Sequence, residues 1–371
     1  DDIALFLSLI DTGTGNQIWG KQYNRKLTGL VSLQSEVARD VSESLVPKLS
    51  EADEQKLAKS YTENSEAYQL YLRGRYHWNK FTVEERQKAL QSFEQAIAVD
   101  PNYALAYTGL ADTYTVMSFS SNEMIVKAKD AALKAVSLDD SLAEAHSALG
   151  FVLYARQFDF SGAEREYKRA IELNPKYFLA RYLYAFFLIQ NGRTEEAFAE
   201  QQIAMRTEPF SILVNRQYAS FLLIANQPDK SIDQNRKMLD FDSDSAIHAN
   251  LAYAFWQKGD YAACVEEFAK GQEEDGNKDL ASLIRNEFTR AGWLGFLRLM
   301  TSPEHRSVLA NLDLVRFYVA LGENELAIDE LQMAYDQRNA LLLTVKVDPF
   351  LKPLDSDGRF QALLKKIGFP E

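Results

Sequence analysis

The sequence has one cysteine and four histidines, and these shortages exclude several kinds of site. Cys264 is the single cysteine among 371 residues, so the chain cannot form an internal disulfide. The histidines are scattered, and none shows the His-x-x-x-His or Cys-pair spacing of a metal site. The glycines at Gly13 and Gly15 lead into a strand-like stretch, whereas a phosphate-binding loop should open into a helix. We therefore expect no metal, no cofactor and no enzymatic activity, and we expect Cys264 to pack in the core.

Basic charge and long apolar runs are also scarce. The chain has 41 Lys and Arg against 53 Asp and Glu, which gives a formal net charge of −12. This balance opposes attraction to polyanions, so we expect no nucleic-acid partner. No apolar run approaches the roughly 20 residues that span a bilayer, and the start of the chain lacks the basic flank of a signal peptide. We therefore expect no direct membrane insertion of this chain.

Proline is uncommon too, with nine residues, but its positions recur. Pro101, Pro175 and Pro209 share one slot with Asp140 and Ser243, at a period of about 34 residues. A proline inside a helix costs roughly 3 kcal/mol, so a proline at fixed phase marks a boundary between helices. The slot therefore divides the chain into pairs of helices.

The helix before each slot carries small residues at two positions and a larger one between them in most units, with spacings of four and then three. The sets are Ala89, Phe93 and Ala96; Ala128, Ala132 and Ala135; Ala163, Tyr167 and Ala170; and Ala197, Gln201 and Ala204. This spacing places each set on one helix face, where small residues let paired helices approach closely. The pattern predicts helix hairpins that stack on one another.

These residues resemble the tetratricopeptide repeat, whose pattern is a large residue, Leu-Gly, Tyr, and then Ala, Phe, Ala and Pro. The fifth unit departs most from the pattern, because Ser231, Asn235 and Met238 replace the expected Ala, Phe and Ala. The resemblance implies a mainly α fold, a right-handed α-solenoid of about seven helix hairpins with a small β-β-α segment at the amino terminus.

The two ends of the chain differ from the repeats. The stretch "IALFLSLIDTGTGNQIWGKQYNRK" predicts two strands around a turn, followed by a helix. Through "LIDTGTGNQIWGKQYNRKL" it resembles the final portion of the TolB-like domain that precedes such repeats in many bacterial signalling proteins. We expect four parts: a TolB-like α/β fragment at 1–60, repeats one to six at 61–278, a spacer helix and repeat seven at 279–338, and a cap at 339–371.

Each end of the chain also carries apolar residues that are candidates for a packing surface. The strand-like "IALFLSLI" has no evident partner beyond its hairpin, so it is a candidate for pairing with a second copy to form a homodimer. At the other end, Phe360, Leu363, Leu364 and Ile367 are candidates for covering the last repeat.

The family resemblance implies a role in bacterial signalling or regulation. Such proteins carry an output module towards the amino terminus, a Ser/Thr kinase, an adenylate cyclase or a winged-helix domain, and the repeats then serve as the sensing or protein-binding part. The signature motifs of those modules are missing from this sequence. We leave the localisation open: the region lies outside the cytoplasm if a membrane span precedes it, and inside otherwise.

The inward positions of the first helices in the repeats are rich in aromatic residues. The candidate partner-binding residues are Asp112, Phe151, Tyr154, Tyr182, Phe186, Arg216, Tyr253 and Trp256. Rigid aromatic side chains provide contact area at a low entropy cost, and Arg216 is suited to a carboxylate. Two interpretations stay open for each residue, a groove for a peptide or protein partner and packing between repeats. An enzyme or a small-ligand-binding protein on a tetratricopeptide scaffold is the alternative function.

Overall fold

A computed structural model of the chain describes residues 2–26, 29–45, 61–80, 83–117, 122–240, 244–309, 311–337 and 339–369. These residues form two strands and seventeen α-helices. The chain divides into two compact units. The amino-terminal unit comprises residues 1–117 and 126–148, and the carboxyl-terminal unit comprises residues 118–125 and 149–371.

The amino-terminal unit begins with an antiparallel hairpin of β1 (Asp2–Ile10) and β2 (Gln17–Lys26). The turn forms because Oδ1 of Asp11 accepts hydrogen bonds from the backbone amides of Gly13 and Thr14, at 2.7 and 3.2 Å. Helix α1 (Leu30–Leu45) follows, and it contacts β2. The predicted strand-turn-strand-helix order at this end is therefore confirmed.

The remaining helices of the chain follow in hairpin order. Those up to the junction of the units are α2 (Ser65–Trp78), α3 (Val83–Val99), α4 (Ala104–Met117), α5 (Asn122–Leu138) and α6 (Ala143–Val152). The next are α7 (Phe160–Leu173), α8 (Phe178–Gln190), α9 (Thr194–Thr207), α10 (Ile212–Ile224), α11 (Pro228–Leu239), α12 (Ser245–Lys258) and α13 (Tyr261–Glu274). The last are α14 (Lys278–Met300), α15 (Asn311–Leu321), α16 (Asn324–Asp336) and α17 (Gly358–Ile367).

The recurring slot lies between helices wherever the structure describes it. Pro101, Asp140, Pro175 and Pro209 each stand in a connection between two helices, and Ser243 lies outside the described residues. All twelve residues of the four sets named above have an exposed fraction of 0%. The predicted fold class, a mainly α fold of tetratricopeptide type with a small β-β-α segment, is thus confirmed.

The hairpin of α10 and α11 has a polar interior where the repeat pattern departs from consensus. Ser231 and Asn235 are fully buried, and the hydroxyl of Ser231 donates to the carbonyl oxygen of Ala219 at 2.9 Å. The amide of Asn235 donates to the carbonyl oxygen of Ser231 at 2.8 Å. Hydrogen bonding therefore replaces part of the apolar contact that alanine and phenylalanine make elsewhere.

Near the carboxyl terminus, α14 is broken at Gly292, whose φ of 65° and ψ of −158° only glycine adopts readily. Along α17, Phe360, Leu363 and Ile367 are buried while Leu364 is half-buried. Cys264 on α13 is fully buried, and burial raises the pKa of its thiol. This burial agrees with the packing role expected for the cysteine.

Candidate functional site

The segment that follows α16, residues 339–354, has irregular structure, and we call it the carboxyl-terminal segment. It contains two short 3₁₀ turns, Ala340–Thr344 and Lys352–Leu354. Five of its aliphatic side chains have exposed fractions of 1% or less: Leu342, Leu343, Val345, Leu351 and Leu354. A segment without a regular helix or strand is therefore held by side-chain burial within the carboxyl-terminal unit.

An arginine on α15 binds this segment through an ion pair. Nε and Nη2 of Arg316 donate to Oδ2 of Asp348, at 2.9 and 2.6 Å. Nη1 of the same guanidinium donates to Oδ1 of Asp313, one turn earlier on α15, at 3.1 Å. Burial raises the pKa of Asp313, although the positive charge of Arg316 opposes that effect. The arginine is thus fixed between a carboxylate of its own helix and one of the segment.

Aromatic rings surround the same arginine. Its guanidinium carbon lies 4.4 Å from the ring centroid of Tyr253 and 5.5 Å from that of Phe350. The ring of Phe350 is 4.4 Å from that of Trp256 and 5.5 Å from that of Tyr253, measured between centroids. The contacts combine ring packing with cation–π attraction, which strengthens where water is excluded.

A third contact lies at the other end of the segment. The hydroxyl of Tyr154 donates to the carbonyl oxygen of Leu343 at 3.5 Å, across 189 positions of sequence. We call the surface formed by Tyr154, Tyr253, Trp256 and Arg316 the docking face. Three of its four residues, Tyr154, Tyr253 and Trp256, are among the predicted partner-binding residues. In the structure they contact the carboxyl-terminal segment of the same chain.

The structure places the other predicted residues in different surroundings. Phe186 is half-buried, with its ring centroid 6.4 Å from that of Tyr154. Arg216 donates to Asp244 at 3.1 Å, so a carboxylate of this chain already meets it. Phe151 and Tyr182 are buried.

Asp112 belongs to the amino-terminal unit, where its buried carboxylate lies 3.5 Å from Nη1 of Arg75. The partner-binding role of the eight residues stays a prediction.

Sequence reasoning missed Arg316, Asp348 and Phe350. The signal for Arg316 is its place among apolar residues in "LVRFYVAL", within the predicted seventh repeat. The signal in the segment was "VDPF", where an acidic and an aromatic residue flank a proline. Neither stretch has a periodicity that would connect it with the other.

Within the parts of the chain that the structure describes, no group of three or more His, Cys, Asp or Glu side chains is arranged to hold a metal ion. In the same parts, every helix is too short or too polar to cross a membrane.

The comparisons with known proteins agree with this architecture. The family model described as "Tetratricopeptide repeat" matches residues 166–199 and again residues 245–278. The first match covers parts of α7 and α9 with α8 between them, and the second covers α12 and α13.

Two curated relatives are regulators or enzymes of greater length. The transcriptional regulator HilA of Salmonella typhimurium is 28% identical over 144 residues, which cover 38% of this chain and 26% of that protein. The putative adenylate cyclase 3 of Rhizobium meliloti is 26% identical over 163 residues, 42% of this chain and 28% of that protein. The chain therefore spans about a quarter of the length of these relatives.

Solved structures of similar type include the type IV pilus biogenesis factor PilW, with a TM-score of 0.44 and 16% identity over 59% of this chain and 97% of that one. A tetratricopeptide repeat protein from Parabacteroides merdae has a TM-score of 0.43 and 15% identity, over 70% of this chain and 98% of that one. The buried small-residue pattern and the two family matches show that the chain contains tetratricopeptide repeats.

Proposed function

We propose that this chain is a noncatalytic protein-interaction or sensory module of a bacterial regulatory protein, and that it binds a peptide or protein partner. One observation carries the proposal: the docking face already holds an irregular stretch of polypeptide through an ion pair and packed aromatic rings. Proteins with this repeat bind peptides or proteins, and the two relatives are a transcriptional regulator and a putative cyclase.

In this proposal residues 1–60 form the last part of a TolB-like domain and residues 61–338 form the recognition module. Tyr182 and Phe186, on α8 of the carboxyl-terminal unit, serve as further partner contacts. Enzymatic activity or small-ligand binding on the same scaffold is the competing function.

The test starts with affinity capture by the intact chain, followed by purification of the captured protein and a one-to-one binding measurement. The double variant Tyr182→Ala and Phe186→Ala should weaken that binding at least tenfold while leaving helicity intact. Phe210→Ala serves as the matched control, because this ring is 84% exposed and lies outside the candidate set. Unchanged affinity in the folded double variant contradicts the proposed contacts. An enzymatic activity that copurifies with the chain until its specific activity is constant contradicts the noncatalytic role.

We also propose that strand β1 allows two copies to associate. Charged residues and prolines usually protect an edge strand from pairing with another chain. The residues of β1 from Ile3 to Ile10 include neither. Phe6 and Ile10 are largely exposed on one face of the hairpin. Light scattering should give twice the monomer mass for the intact chain and the monomer mass for Phe6→Lys. Gln22→Lys, opposite Phe6 on β2, controls for added charge, and a monomeric intact chain contradicts the proposal.

A further inference from the structure

We propose that the docking face is a binding site for peptide segments that place a carboxylate two residues before an aromatic ring, and that Asp348 and Phe350 of the chain occupy it. The inference deepens the proposed function, on which it rests, by naming the chemistry of the ligand and the competitor that a partner must displace.

The carboxylate half of the site is preorganised. Arg316 uses one of its donors on Asp313 of its own helix, which fixes the orientation of the guanidinium. Nε and Nη2 donate to Asp348, and the face of the guanidinium lies against Tyr253. An arginine held in this way discriminates a carboxylate by geometry as well as by charge. A neutral side chain in place of Asp348 leaves buried donors without an acceptor.

The aromatic half of the site receives Phe350, whose ring packs against Trp256 and Tyr253. Between the two recognised side chains stands Pro349, which restricts the backbone before binding. The turn is also stabilised within the motif, because Oδ1 of Asp348 accepts a hydrogen bond from the amide of Phe350 at 2.9 Å. The same short sequence in another chain is therefore able to adopt the same bend.

The covalent link gives the chain's own segment an advantage over any partner. A short tether supplies an effective concentration on the order of millimolar, and the buried Leu343 and Leu351 add apolar anchoring next to the recognised pair. The docking face is therefore closed in the free chain. A partner gains access only when the carboxyl-terminal segment is released.

The experiment uses the full chain with a site-specific protease sequence inserted after Gln337, cleaved after folding. The probe is a fluorescent synthetic peptide of residues 339–371. We expect the probe to exchange into the cleaved chain, and we expect Asp348→Ala or Phe350→Ala in the probe to weaken its binding at least tenfold. A probe with Asp355→Ala is the matched control, because this acidic residue is exposed, and it should bind within twofold of the unchanged probe.

A second arm changes the receptor. In cleaved chain carrying Arg316→Lys, the unchanged probe should bind at least tenfold more weakly, and the penalty for Asp348→Ala in the probe should shrink. Equal binding of the three probe variants overturns the proposal. Failure of the cleaved segment to exchange, or unfolding of the chain on its release, overturns it as well, because the segment is then a permanent part of the core. Partner capture through Tyr182 and Phe186 is measured on the intact chain, so its outcome is separate.

Discussion

Arg316 and Asp348, 32 residues apart, form a side-chain ion pair in which two guanidinium nitrogens donate to one carboxylate oxygen, at 2.9 and 2.6 Å. The carboxylate is only 1% exposed and the arginine side chain 17% exposed. The pair links α15 to the carboxyl-terminal segment, whose regular structure is limited to two short 3₁₀ turns.

Replacing Arg316 by methionine should cost about 3–5 kcal/mol of unfolding free energy, because it leaves the buried carboxylate of Asp348 without its cation. Urea denaturation measures the change. Combining it with Asp348→Asn should cost less than the sum of the single changes. Arg359→Met is the control, since this half-exposed arginine forms surface ion pairs and should change stability by less than about 1 kcal/mol. Equal costs for the two arginines contradict the prediction.

Gln217→Leu should raise the unfolding free energy by about 1–3 kcal/mol. Gln217 is buried, and among the described residues neither polar atom of its amide has a hydrogen-bond partner. The neighbouring repeats carry Leu183 and Leu251 at the equivalent position.

The control for this change is Gln201→Leu, which removes a hydrogen bond from the amide of Gln201 to the carbonyl oxygen of Val214, 2.7 Å long. It should lower stability as measured by the same denaturant titration. A destabilised Gln217→Leu variant would show that the amide has an interaction which leucine does not replace.

Gly109→Ala should destabilise the amino-terminal unit by about 1–3 kcal/mol, because the new methyl group overpacks the core. A Cβ at Gly109 would lie 2.5 Å from the ring of Phe93, and one at Gly74 would lie equally close to the same ring. Phe93→Leu should rescue part of the loss in a double variant. Gly358→Ala, where nothing lies within 4 Å of the added atom, should be nearly neutral. Thermal unfolding followed by circular dichroism distinguishes the two glycines.

Because of Glu164, the unfolding free energy should fall as the pH is lowered below 5. Burial alone would raise its pKa, but contacts with Lys168, Arg193 and Tyr184 outweigh burial and hold the pKa at about 2. A carboxyl group with a folded pKa below its unfolded value contributes stability that is present above pH 4.5 and lost as the pH falls towards 2. Glu164→Gln should therefore lower stability at pH 7 and flatten the profile from pH 5 to 2. An unchanged slope contradicts this role.

The repeats could be predicted from sequence because their signals are local. The spacing of Ala163, Tyr167 and Ala170 defines a helix face within eight residues, and Pro175 marks the end of that helix. These features specify structure before any distant contact forms, and the burial of all three side chains agrees with them.

The docking of the carboxyl-terminal segment could not be predicted in the same way. The contact between Tyr154 and Leu343 joins positions that no periodic pattern relates. The alternation of apolar and polar residues in "LTVKVD" favours a strand, whereas the structure has a 3₁₀ turn at Ala340–Thr344 followed by turns. The sequence predicts only that the aromatic residues share the inward face of the repeats. Which polypeptide covers Tyr253 and Trp256 depends on tertiary packing, and sequence spacing holds no information about it.

The solitary sulfhydryl at position 264 has a practical value for spectroscopy. Because Cys264 is fully buried and has no second thiol in the chain, maleimide reagents should find little to modify in the folded wild-type protein. A pair of cysteines introduced at exposed positions such as Lys352 and Tyr261 would then be labelled cleanly. The distribution of spin–spin distances between those labels would measure the fraction of molecules in which the carboxyl-terminal segment has left the docking face.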